Sequence, residues 1–106
     1  MTYLEELARA INNALPEAVI PDPDISELLL TYAVLALAKG ANVSREDVHN
    51  AWVAWMVTRG KSHPSMVPFD ELSPETQAED SPFVAAIRTV ATSRLGMRFG
   101  LVRDAE

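Results

Sequence analysis

The sequence predicts a mainly α protein, a small single-domain bundle of about four helices with one ordered, proline-containing loop. Three observations carry this. Apolar residues recur at three- and four-residue spacing in four separate segments, each segment opens on a Ser, Thr or Asp capping signal, and glycine or proline punctuates the stretches between them. At 106 residues and 48% hydrophobic composition, the chain is long enough to bury one core without covalent staples.

Thr2 followed by Glu5 reads as a capping box, and Leu4, Leu7, Ala8, Ile11 and Leu15 then share one helical face. Pro16, Pro21 and Pro23 end that helix and make a rigid connector. Asp24 and Glu27 are expected to cap the second helix, in which nearly every position from Leu28 to Ala38 is apolar. Such a helix is expected to be buried on several sides, or to offer a face for self-association. It is too short for a membrane span, which needs about 20 apolar residues, and Gly40 is placed to end it.

Ser44 and Asp47 open a third helix with the stripe Val48, Ala51, Trp52, Trp55 and Met56. Gly60 closes it. Ser73 is read as an N-cap with Pro74 at the first helical position, and a last helix starts at Ser81 with Pro82 in its first turn, where a missing amide costs nothing. Phe83, Ala86, Ile87 and Val90 are its expected core face. From Leu95 onward the tail reads equally as a short strand, a docked segment or a frayed end.

With no cysteine there is no disulfide framework and no thiol chemistry. The N-terminus lacks a basic start followed by an apolar run, so it reads as helix rather than signal peptide, and a cytoplasmic location is expected. A net charge of −6 disfavours general binding to a nucleic-acid backbone. The sign is uneven: residues 59 to 63 are basic, residues 70 to 80 carry only acids, and Arg88, Arg94 and Arg98 return positive charge later.

Candidate binding residues concentrate around the third helix. Arg59 falls within its apolar stripe, and two readings stay open. Either it suits the helix C-terminus and lays its stem across a tryptophan, or it floors a pocket for a planar, anionic ligand. In the pocket reading Trp52 or Trp55 stacks on a base, Arg59, Lys61 and Arg94 meet phosphate, and His63 or Asp70 adds polar contacts. The plainer alternative makes both tryptophans core residues and Asp70 a turn-fixing acid.

The order Asp47-Val48-His49-x-x-Trp52, His63-Pro64, Val67-Pro68-Phe69-Asp70-Glu71-Leu72 and an acidic turn ending in Asp80 resembles the ryanodine-receptor repeat. The likeness covers roughly residues 44 to 92. That family carries a helix bearing His and Trp, then a Leu-Val-Pro-Tyr/Phe-Asp-Glu-Leu signature, then a short acidic helix. The whole chain, with LLLTYAVLALAKG and FVAAIRTVA, is also similar to short proteins of mycobacteriophages and related actinobacterial phages. These resemblances imply a non-enzymatic cytoplasmic module, and prokaryotic relatives of the repeat have been proposed to sense nucleotide-like signals. The chain departs from a standard repeat in replacing part of an N-terminal strand-forming region with helices.

Catalysis finds little support. His49 and His63 are too far apart to form a helical metal pair, no metal or cofactor motif is present, and no Gly-rich phosphate loop occurs. Asp70, Glu71, Glu75, Glu79 and Asp80 read as an acidic helix start rather than a catalytic pair. The expectation placed first is therefore a protein-interaction module, with Glu75 and Glu79 meeting a basic host or phage partner and the apolar second helix allowing a homodimer. The alternative is a nucleotide-like small-ligand binder acting as a sensor or sponge.

Overall fold

A computed structural model of the chain describes residues 2–16 and 23–95; of residues 23, 24, 94 and 95 only the backbone is described. The architecture is mainly α, as the periodicity predicts. Four longer helices, α1 (Tyr3–Ala14), α2 (Pro23–Lys39), α3 (Arg45–Thr58) and α5 (Ser81–Val90), are joined by turns and by the one-turn helix α4 (Pro74–Ala78). A π-helical turn, Ala91–Leu95, extends α5.

The helix starts follow the capping chemistry. The Thr2 amide donates to Glu5 Oε1 at 2.7 Å while the Glu5 amide donates to Thr2 Oγ1 at 3.2 Å, so both arms of the box are made. Ser44 and Asp47 repeat this at α3, at 2.9 and 3.1 Å, and Lys39 from the end of α2 lies 3.4 Å from the Asp47 carboxylate. Burial raises the Asp47 pKa, but the Ser44 hydrogen bonds and the Lys39 charge outweigh it and hold the carboxyl below its ordinary value. Gly40 and Gly60 carry φ of +57° and +67°, the left-handed conformation that glycine adopts without a Cβ penalty at a helix end.

One boundary differs from expectation. Helix α2 begins at Pro23, so Asp24 lies inside its first turn rather than capping it. Proline supplies no amide, and a first-turn amide has no partner within the helix, so its absence costs no helical hydrogen bond. The rest of the connector, residues 17–22, and the tail from residue 96 lie outside the described residues.

Helix α2 is the hub: it packs against α1, α3 and α5, and α1 also meets α5. Ile11, Ala33, Val43, Val48 and Ile87 are fully enclosed, surrounded by Leu7, Leu28, Leu29, Tyr32, Ala36, Val84, Ala86 and Val90. Burying aliphatic side chains of this size contributes about 1.5–3 kcal/mol each. Burial of α2 on several sides is incomplete, because Val34 and Leu37 are 50% and 38% exposed on its outer face. Arg88 ties α5 to the α2–α3 turn by donating from Nε to the Val43 carbonyl at 2.9 Å.

Candidate functional site

The long loop between α3 and α4 is an ordered arm held by side chains. His49, on α3 and 3% exposed, donates from Nε2 to the Val67 carbonyl at 2.7 Å. A carbonyl only accepts, so Nε2 carries the proton. The imidazole sits between Trp52 and Phe69, with ring centroids 5.9 and 6.0 Å away. From the other side Gln77 on α4 donates from Nε2 to the Phe69 and Leu72 carbonyls at 3.0 and 3.3 Å. Met66, Val67 and Phe69 are half-buried, as expected of residues that pin the arm.

Docking the arm leaves a cleft of about 300 Å³ between α2, α3, the arm, α4 and α5. Helix α2 contributes Leu28 and Tyr32, four residues apart, and α3 contributes His49 and Trp52, three apart, each pair on one helical face. The arm adds His63, Ser65 and Leu72, and the acidic turn adds Thr76, Glu79 and Asp80; Phe83 of α5 closes the wall. His63 stands edge-on to Trp52 at 5.4 Å, and its Nδ1 accepts from the Ser65 amide at 3.0 Å, which puts the proton on Nε2. Tyr32 meets Phe83 at 5.5 Å.

No lysine or arginine lines this cleft. Two of its ionisable groups, Asp80 and Tyr32, are pushed in the same direction. Burial pushes the Asp80 carboxyl above its ordinary value; His49 and Arg45 oppose that shift and Glu79 adds to it. Burial also raises the Tyr32 phenol, and the Asp80 charge raises it further, so the phenol stays protonated at neutral pH. Asp80 is the N-cap residue of α5 but makes no side-chain cap. Its φ and ψ of −83° and −12° are helical, and an N-cap side chain reaches back to the first-turn amides from extended backbone.

The structure separates the residues of the expected phosphate pocket. Trp52 and His63 face the cleft. Trp55 and Arg59 line a different groove, of about 460 Å³, with Glu27, Thr31, Ala54 and Thr58. There Arg59 donates from Nη1 to Glu27 at 2.9 Å and lies 5.5 Å from the Trp55 ring centroid. Its charge is thus already matched by a carboxylate and an indole face, the arrangement of a helix-end cation. Lys61 is exposed on the arm and lines neither space, Asp70 is exposed in the turn Phe69–Glu71, and the Arg94 side chain lies outside the described residues. Glu75 and Glu79 are both exposed, and Glu79 also lines the cleft.

Residue-by-residue reading of candidate ligands missed Tyr32, His49 and Asp80. The ordered motif contained the signal: His49, Trp52, His63, Leu72 and Asp80 all belong to it and all line the cleft. Tyr32 carries no sequence signal, since within LLLTYAVLALA it reads as one more core residue. Among the described residues no group of three metal-ligating side chains occurs, and no helix is long and apolar enough to cross a membrane.

Fold and site together define a small all-α domain with an acidic, aromatic-lined cleft. The chain belongs to the family described as Domain of unknown function (DUF7701), whose model matches residues 2–92. That match spans helices α1 to α5. No curated protein and no solved structure matches the chain.

Proposed function

We propose that the protein is a non-enzymatic binding module whose cleft takes a small ligand against Trp52. The observation that carries this reading is the convergence of Tyr32, His49, Trp52, His63 and Asp80 on one concave space. Its volume of about 300 Å³ sits at the lower end of the ~300–1,000 Å³ typical of small-molecule sites, and a few polar groups among aromatic walls are their usual lining. A phosphate finds no cationic partner there, so within a nucleotide-like ligand the planar base rather than the phosphate is the part the cleft suits. The likeness to the ryanodine-receptor repeat and to phage proteins fits a sensor or sponge in phage–host conflict, working in the host cytoplasm.

Because Trp55 lies in a separate groove, the variant Trp55→Phe leaves Trp52 as the sole fluorescent reporter of the cleft. Titration of that variant against a panel of nucleosides, amines and amino acids, in parallel with thermal unfolding, is expected to yield at least one compound that changes Trp52 emission. The same compound should raise the melting temperature, since a ligand at a hundredfold its dissociation constant adds about 2.7 kcal/mol. Silence in both readouts across the panel overturns the reading.

A second reading has its own support. Val34 and Val57 are 50% and 61% exposed, and Glu75 and Glu79 present negative charge, features that suit a protein-interaction surface or a homodimer. Light scattering at high concentration, and pull-down with Glu75→Lys and Glu79→Lys variants, test it. A monomer whose captured partners ignore both charge reversals counts against this surface.

A further inference from the structure

The chemistry of the cleft identifies the class of ligand, an inference that rests on the cleft being a binding site. Tyr32 and His49 are 2% and 3% exposed, and both line it. Among the described residues the Tyr32 hydroxyl has no hydrogen-bond partner, and His49, having spent Nε2 on Val67, has none at Nδ1. Neither atom is sealed from solvent, so both open onto the cleft, where a ligand can meet them. In the neutral ring Nδ1 accepts, the phenol oxygen can accept, and Asp80 and Glu79 add two carboxylates. Trp52 and Phe83 add ring faces, whose quadrupole attracts positive charge.

We propose that the cleft recognises an organic cation, a guanidinium or primary ammonium group, seated between the Trp52 ring and the Asp80 carboxylate. Such a group has several N–H donors and no acceptor, which complements Nδ1 of His49, the phenol oxygen and the carboxylates. A guanidinium also stacks on an indole and pairs with a carboxylate through two parallel hydrogen bonds. An anion would meet Glu79 and Asp80 with no lysine or arginine in the lining to offset them. The groove around Arg59 suits a cation less: it already holds the Arg59 guanidinium, paired with Glu27, and its unpaired buried atom, Trp55 Nε1, is a donor. The cation can belong to a free amine or to a basic side chain of a peptide, and the chemistry at the cleft is the same.

The test is a titration of the ¹⁵N-labelled full chain with agmatine, spermidine and a Gly-Arg-Gly amide, with adenosine and AMP as uncharged and anionic comparisons. The Trp52 indole N–H is assigned from its disappearance in Trp52→Phe. Agmatine or the arginine peptide is expected to shift that signal and leave the Trp55 indole in place. Affinity should fall roughly tenfold or more in Asp80→Asn and should weaken with added salt, as screening requires. Tighter binding of the peptide identifies a protein source of the cation, and tighter binding of the amines a free one. Should adenosine move the Trp52 signal while every cation leaves it unmoved, the cation assignment is wrong and the cleft remains a ligand site. Should no compound move it, both fall. Asp80→Asn keeps a residue favoured at a helix start, and its circular dichroism melt confirms that lost affinity is not lost folding.

Discussion

Replacing His49 tests the arm that forms one wall of the cleft. The side chain makes one 2.7 Å bond, Nε2–H to the Val67 carbonyl, and fills the space between Trp52 and Phe69. Removing the donor forfeits about 0.5–1.5 kcal/mol of net hydrogen bonding, or about 1–3 kcal/mol if the carbonyl is left dry. Losing the two aromatic contacts adds up to about 0.5–1.5 kcal/mol each. His49→Ala is therefore expected to destabilise by about 2–4 kcal/mol, on the order of 10 °C or more in melting temperature for a domain of this size. Two further variants divide that sum. His49→Phe keeps the ring and loses the donor, leaving Val67 unpaired; His49→Gln keeps an N–H and loses the ring. Urea unfolding followed by circular dichroism gives the three free energies, and limited proteolysis between Lys61 and Leu72 reports whether the arm has lifted. A His49→Phe protein as stable as the wild type would refute the hydrogen-bond argument. A His49→Ala protein within about 0.5 kcal/mol of wild type, with an arm still resistant to protease, would refute the anchoring argument altogether.

Three other outcomes are expected. Asp80→Asn should raise the melting temperature near pH 7: the folded-state pKa of Asp80 lies above its unfolded value, so the ionised carboxylate costs stability above the folded pKa and the cost vanishes below the unfolded one. The gap between variant and wild type should therefore close as pH falls through the acid range, and a gap that widens instead contradicts the burial argument. Arg59→Ala should cost no more than about 2 kcal/mol, since an ion pair to a largely exposed Glu27 is worth about 0–1 kcal/mol and the cation–ring contact about 0.5–1 kcal/mol; it should leave Trp52 fluorescence responses to ligand unchanged. Ser44→Ala should cost about 1 kcal/mol in urea unfolding through the lost cap of α3.

Much of the fold was legible because its signals are local. Thr2 with Glu5 and Ser44 with Asp47 specify helix starts within four residues, and Gly40 and Gly60 specify stops through a backbone conformation that only they enter cheaply. The start of α2 was misread by one residue because Pro23 and Asp24 both satisfy first-turn rules, and nothing in sequence ranks them. The cleft was harder to see. A helical wheel places Trp52, Trp55 and Arg59 on one stripe, yet α3 presents Trp52 and His49 to the arm and Trp55 and Arg59 to the groove beside Glu27. Wheel position says that a face is covered, not by what. The arm and α2 lie on opposite sides of α3 in the sequence, so which of them covers which tryptophan is a tertiary fact.

Three places where local rules fail are informative because they share one cleft; a fourth, the buried Trp55 Nε1 without a hydrogen-bond partner, lies in the other groove. Asp80 occupies a capping position without capping, and its charge is held where burial opposes it. Tyr32, enclosed in the central helix, has no bond for its hydroxyl among the described residues, and His49 has none for Nδ1. The missing cap costs about 1 kcal/mol, while the Tyr32 hydroxyl and His49 Nδ1 are left to the solvent or ligand of the cleft. In a domain whose total stability is of the order of 5–15 kcal/mol, departures on three different elements would ordinarily be scattered or removed by substitution. Here α2, α3 and the α4–α5 turn each place their departure on the same 300 Å³. Local consistency is what a fold needs, and concentrated inconsistency is what a binding site leaves in it. Replacements at two of these positions, Tyr32→Phe and Asp80→Asn, should accordingly be tolerated by the fold and lose the ligand.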